Sequence, residues 1–159
     1  RGVIMFDIIL AVCCLIAGLC AGIKFSERYT EKFKFYKSIS IFNERLYTEI
    51  TFFRNGICTL KNGEYLSQKF EKVVYDYSNG KDYVADLPAF LTASQKSDII
   101  AYFSSIGKSD ATSQKELCGA YKEKFEYELS IAANEQAKYS ALCKKTGLIV
   151  GLAAFVILF

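Results

Sequence analysis

Charge is almost absent from both ends of this chain and crowded into its middle, and that distribution limits what the chain can fold into. Between Gly2 and Ile23 the only ionised side chain is Asp7, and residues 146–159 have none. The 122 residues between, 24–145, carry 19 basic and 16 acidic side chains, a net +3. The pattern predicts a solvated domain over 24–145 between two apolar helices, one at 3–23 and one at 146–159. Its charge balance suits a water-facing surface. A nucleic-acid partner would need a concentrated basic stripe, and none is expected.

Residues 8–23 form a run of 16 without charge, against about 20 apolar residues for a helix that spans a bilayer core. With Asp7 near the headgroups, 3–23 reads as a transmembrane helix. A cleaved signal peptide fits less well, because positive charge ahead of the segment is sparse and the helical pattern continues straight after it. A lipoprotein signal needs a small residue before the modified cysteine, whereas Val12, Cys13 and Leu19 precede the three candidates. The chain opens on Arg1 rather than on methionine, which leaves room for residues ahead of it. At the other end, 148–159 gives 12 residues, roughly 18 Å of helix. With Lys144 and Lys145 snorkelling from its flank, 146–159 reads as a transmembrane or membrane-inserted helix. Lys24, Arg28, Lys32, Lys34, Lys37, Lys144 and Lys145 crowd the inner ends of both segments, and such residues stay on the cytoplasmic side. The middle domain is therefore expected to be cytoplasmic.

Each apolar segment carries glycines four apart, Gly18 and Gly22 in the first, Gly147 and Gly151 in the second. That spacing lets helix backbones approach closely in lipid. It fits packing of the two segments on each other or on another membrane subunit; glycine is also simply common in membrane helices.

In the middle, Phe25, Tyr29, Phe33, Tyr36, Ile39, Phe42, Leu46, Ile50 and Phe53 recur every three or four residues, the stripe of a long amphipathic helix. Asn55-Gly56 and Asn62-Gly63 bracket a loop. A shorter helix is predicted over about 64–77, ended by Ser78-Asn79-Gly80. The only proline, Pro88, marks a second loop. Thr92 with Gln95 three residues on is a capping box. Ile99, Ile100, Phe103 and Ile106 are the core face of the helix it starts, and Gly107 suits its stop. Ser109 or Asp110 can cap the next helix, whose core stripe is Leu117, Tyr121, Phe125, Leu129 and Ala132. That helix runs without a break signal through Lys144-Lys145 into the apolar end. No period-2 pattern stands out. The fold class is all-α: a membrane-anchored bundle with apolar helices at both termini.

No catalytic site emerges, and no enzyme is expected. The chain has no histidine, the commonest general base and metal ligand. Its six cysteines form no CxxC pair or disulfide framework, so neither a metal nor another cofactor is expected. Free thiols are bland in a reducing compartment. Gly56, Gly63 and Gly80 lie outside any phosphate-loop pattern.

Read together, several segments resemble stage III sporulation protein AB of endospore-forming Firmicutes. Ile106-Gly107-Lys108-Ser109-Asp110, with Gln114 after it, is similar to that family's Leu-Gly-x-Ser-Asp-x-x-x-Gln signature. Ala133, Glu135 and Lys138 match the rhythm of its last helix, and Gly147-Leu148-Ile149-Val150-Gly151-Leu152 its apolar tail. Gly22, Arg28 and Glu49-Ile50 are similar to its front half. Residues 52–83 depart from it, lacking the family's Thr-Pro-Leu turn. The resemblance implies a helical domain similar to the platform proteins of type II secretion machines. It also implies a structural membrane component of the channel-like assembly between mother cell and forespore. Its partners would be other stage III sporulation proteins, notably the AA-type ATPase and membrane subunits, together with the lipid bilayer, and its place the mother-cell membrane. Gly107, Ser109, Asp110 and Gln114 are the candidate partner contact; capping chemistry alone also accounts for them as a helix–helix corner. A reading of another class is a membrane-anchored regulator that dimerises through the Phe25–Phe53 stripe. A third is a secreted helical protein cleaved near Ala21.

Overall fold

The computed structural model describes residues 2–53 and 65–158, without the side chains of 2–11, 14, 15, 53, 154, 155, 157 and 158. Every regular element among them is helical. α1 spans Gly2–Thr48 and passes into a π-helical turn, Glu49–Phe53. α2 is Gln68–Ser78, α3 is Ala93–Ser105 and α4 is Ala111–Glu135. A second π turn, Gln136–Ser140, leads from α4 into α5, Ala141–Leu158. The all-α expectation holds. The turns at Asn55-Gly56 and Asn62-Gly63, and Cys58, lie outside the described residues.

The chain divides into two compact units, Arg1–Thr30 with Ala133–Phe159, and Glu31–Ala132. Among the described residues no helix is long and apolar enough to cross a membrane. After Lys145, α5 has fewer than the roughly 20 residues a spanning helix needs. The transmembrane reading of 3–23 and 146–159 is therefore no part of the described fold.

The Glu31–Ala132 unit is built on aromatic packing. Tyr36, Ile39, Phe42 and Leu46 of the α1 stripe are buried, each at most 3% exposed. Against them lie Phe70, Val73 and Val74 of α2, Ile99, Tyr102 and Phe103 of α3, and Cys118, Phe125 and Ala132 of α4. Phe42 meets Phe70 and Phe103 at ring-centroid distances of 5.8 and 5.7 Å, and Tyr102 stands edge-on to Phe125 at 5.0 Å. Such pairs add about 0.5–1.5 kcal/mol each beyond the area they bury. Phe35, off the periodic stripe, is also fully buried. It packs on Phe70 and Phe90, because the helices surround α1 here on more than one face.

Local chemistry sets the helix ends. Thr92 Oγ1 accepts from Gln95 N–H at 3.2 Å while Gln95 Oε1 accepts from Thr92 N–H at 3.0 Å, the reciprocal capping box expected of this pair. α2 starts four residues later than its predicted 64. Ser67 caps it, its hydroxyl accepting from Phe70 N–H. Ser67 N–H in turn donates to Ser38 Oγ at 3.1 Å, which ties the entry of α2 to α1. Gly80, at φ +67°, supplies the left-handed turn that ends α2.

The apolar stripe breaks at its first member. Phe25 is 66% exposed, so the buried stripe in the Glu31–Ala132 unit begins after it. The reason lies in the other unit, where α1 presents Gly22 and Ser26 inward.

Candidate functional site

The corner between α3 and α4 closes on itself. Gly107 takes φ +76°, a conformation that costs a side-chain-bearing residue about 1 kcal/mol or more, and so stops α3. Gln114, one turn into α4 and 5% exposed, reaches back to it. Its Oε1 accepts from Gly107 N–H at 3.1 Å. Its Nε2 donates to Ser105 O at 3.0 Å and to Ser109 Oγ at 2.7 Å. Asp110 caps α4: its carboxylate accepts from the backbone N–H groups of Thr112 and Ser113 and from Ser113 Oγ at 2.6 Å. The Ser113 hydrogen bonds hold the Asp110 carboxyl below its usual value. The four signature residues thus come together, with Gln114 inside and Gly107, Ser109 and Asp110 on the exposed loop. Their hydrogen bonds are directed at one another.

In the unit formed by Arg1–Thr30 and Ala133–Phe159, α1 and α5 run antiparallel with their glycines in register. A methyl group on Gly18 would stand 2.9 Å from both Gly147 O and Gly151 Cα. One on Gly22 would stand 2.8 Å from Cys143 O, and one on Gly147 would stand 2.7 Å from Gly18 O. Side-chain carbons do not occupy such distances, so the two backbones meet only because these positions are glycine. The four-residue spacing continues into Ser26, whose hydroxyl lies 2.6 Å from that of Ser140. Next to this pair Tyr29 and Tyr139 stack at 5.4 Å. Ser26 and Ser140 escaped the sequence reading, although Ser26 prolongs the Gly18–Gly22 spacing by one step. Away from this seam Ile16, Ile23, Phe25, Leu142, Ile149 and Val156 face outward. Large apolar residues exposed in such number mark an interaction site or a membrane contact.

A third feature is a cleft of about 480 Å³ in the Glu31–Ala132 unit, bordered by Tyr47 and Lys122 and floored by Asn43 and Cys118. Asn43 is 2% exposed. Its Nδ2 donates to Cys118 O at 2.9 Å and its Oδ1 accepts from Tyr102 OH at 2.9 Å. This network also went unread in the sequence, although Asn43 stands four residues after Ile39 and three before Leu46, on the stripe. Burial pushes the Cys118 thiol up to about 11, so it stays protonated and inert near neutral pH. On α2, a hydrogen bond that the Asp76 carboxyl donates to Asp86 raises Asp76, while the Lys72 ammonium, hydrogen-bonded to Asp86, lowers Asp86. Among the described residues no group of three His, Cys, Asp or Glu side chains could hold a metal ion.

Residues 83–159 match the family model described as stage III sporulation protein AB. The resemblance seen in the sequence is thus shown, over the C-terminal half that contains the α3–α4 corner and α5. The family implies a role in stage III of sporulation. No curated protein and no solved structure matches the chain.

Proposed function

We propose that this chain, whose residues 83–159 carry the stage III sporulation protein AB pattern, is a structural component of the assembly between mother cell and forespore. In this reading it sits in the mother-cell membrane and serves as a platform for the assembly's AA-type ATPase and membrane subunits. The observation that carries the reading is the glycine-seamed pair of α1 and α5. Its backbones are in contact at Gly18, Gly22 and Gly147, and its outer faces are apolar. Small residues inside with large apolar residues outside is the reverse of a water-soluble helix pair, and it is the pattern of helices packed in lipid. The Glu31–Ala132 unit, with its charged surface, would face the cytoplasm, on the side of the basic residues that flank both apolar segments.

The alternative of a regulator dimerising through the long stripe loses support. Tyr36, Ile39, Phe42 and Leu46 are buried among α2, α3 and α4 of the same chain. Little of that stripe is left for a second copy.

A topology experiment tests the platform reading. Cys118 cannot report sidedness, being 1% exposed. Ala101→Cys on the exposed side of α3 can. In intact cells a membrane-impermeant maleimide is expected to leave that thiol unlabelled, with labelling after permeabilisation and co-purification of the ATPase with the full chain. Labelling in intact cells would place the domain outside and remove the ATPase from reach.

A further inference from the structure

The seam of small residues between α1 and α5 leaves an apolar groove on one flank, about 300 Å³ in volume. Gly18, Ala21, Gly22 and Phe25 line it from α1, and Leu142, Cys143, Thr146, Gly147 and Val150 line it from α5. Apart from the Thr146 hydroxyl its walls carry no polar side chain. Phe25 and Leu142, at the same end, are 66% and 53% exposed.

That end of the groove is also where positive charge begins. Arg28 follows Phe25 by three residues and Ala21 by seven, so it continues the groove face of α1. Lys24 follows Ala21 by three. Both cations are exposed, and neither has an ion-pair partner among the described residues. The nearest acidic residue on this part of α1 is Glu27. Its spacing to the lining residues Gly18, Ala21, Gly22 and Phe25 is nine, six, five and two, which turns it to another side of the helix.

We propose that this groove holds one anionic phospholipid, with an acyl chain against Gly18, Ala21 and Gly22 and its phosphate between Lys24 and Arg28. A purely apolar partner helix would fit the walls but leave the cations at its end unused. The joint presence of an apolar trough and a basic mouth selects an amphiphile with a negative head. Arg is suited to bind phosphate oxygens in pairs, and long basic side chains reach the headgroup level while their stems stay in the apolar layer. Basic pockets between membrane helices bind acidic lipid heads for the same reason. The site depends on the membrane seating proposed above.

The test uses the full chain reconstituted in vesicles of equal phosphatidylcholine and phosphatidylglycerol, re-extracted, with the retained lipid quantified by mass spectrometry. Phosphatidylglycerol should be enriched several-fold over its vesicle fraction. Arg28→Gln with Lys24→Gln should bring the ratio back to that of the vesicle. Thr146→Phe, which fills the groove and leaves every cation, should do the same, with Ala21→Leu as the milder variant should Thr146→Phe lose helical signal. Equal retention of the two lipids by the unaltered chain, or enrichment that survives groove filling, overturns the site. Flotation of the chain with vesicles is scored separately. A chain that floats yet shows no preference keeps its membrane seating and loses the lipid site; a chain that floats with neither lipid loses both.

Discussion

Gln114 shows how one side chain can specify a corner. Its amide serves Gly107 N–H, Ser105 O and Ser109 Oγ from a nearly buried position, so truncation strands the groups it satisfies. Gln114→Ala is expected to cost about 1–3 kcal/mol, read as a lower urea midpoint with unchanged slope. Asn43 is the same kind of residue deeper in the core. Asn43→Ala leaves Cys118 O and Tyr102 OH without their partner, with a similar expected loss of about 1–3 kcal/mol. Asp110 gives a pH signature. Its folded value lies below that of the unfolded chain because the ionised carboxylate is hydrogen-bonded by Ser113 and Thr112. Its contribution is therefore present above the usual carboxylate value of about 4 and is lost as pH falls through the lower folded value. Asp110→Asn should flatten the acid limb of stability against pH and leave the neutral region's slope unchanged.

At the scale of elements, the α1–α5 pair depends on what its seam lacks. A Cβ at Gly147 would sit 2.7 Å from the opposing backbone, so the helices must part to admit one. The Ser26 and Ser140 hydroxyls, 2.6 Å apart, are a built-in reporter. In a background with the native thiols replaced by serine or alanine, Ser26→Cys with Ser140→Cys should oxidise readily to an internal disulfide. Adding Gly147→Leu should lower the yield several-fold. Equal yields would mean that the glycines are incidental to the pairing. The α3–α4 corner and this pair share one logic: a small residue lets backbone approach, and a polar side chain next to it fixes the register.

For the molecule as a whole, the division into two units sets the expectation. The Glu31–Ala132 unit has its own aromatic core and its own caps at Ser67, Thr92 and Asp110. A fragment of residues 31–132 should fold without the rest, giving a helical spectrum and a single cooperative urea transition. Its Cys118 should resist maleimide until that transition. A gradual, non-cooperative loss of signal would show that the aromatic core needs the remainder of the chain. The other unit, with apolar residues outward and glycine inward, has the opposite solvent preference, and the stability of the full chain should rise in lipid or detergent.

Local rules decided much of this molecule before any tertiary contact formed. The Thr92–Gln95 box, the stop at Gly107, a cap at Ser109 or Asp110 and the periodic stripe from Tyr36 to Leu46 depend on spacing within a turn or two of helix, and they are legible in the sequence. The two four-residue glycine spacings are legible as well, though spacing alone does not say what the glycines face. Tertiary structure decided which faces are used twice and which not at all. It buried Phe35 on a second side of α1, turned Phe25 outward, and set Asn43 between Tyr102 and Cys118. It also brought Ser26 to Ser140 across a separation of 114 residues. Those outcomes depend on where other helices lie, and a periodicity reports only that a helix has a face, not what comes to meet it.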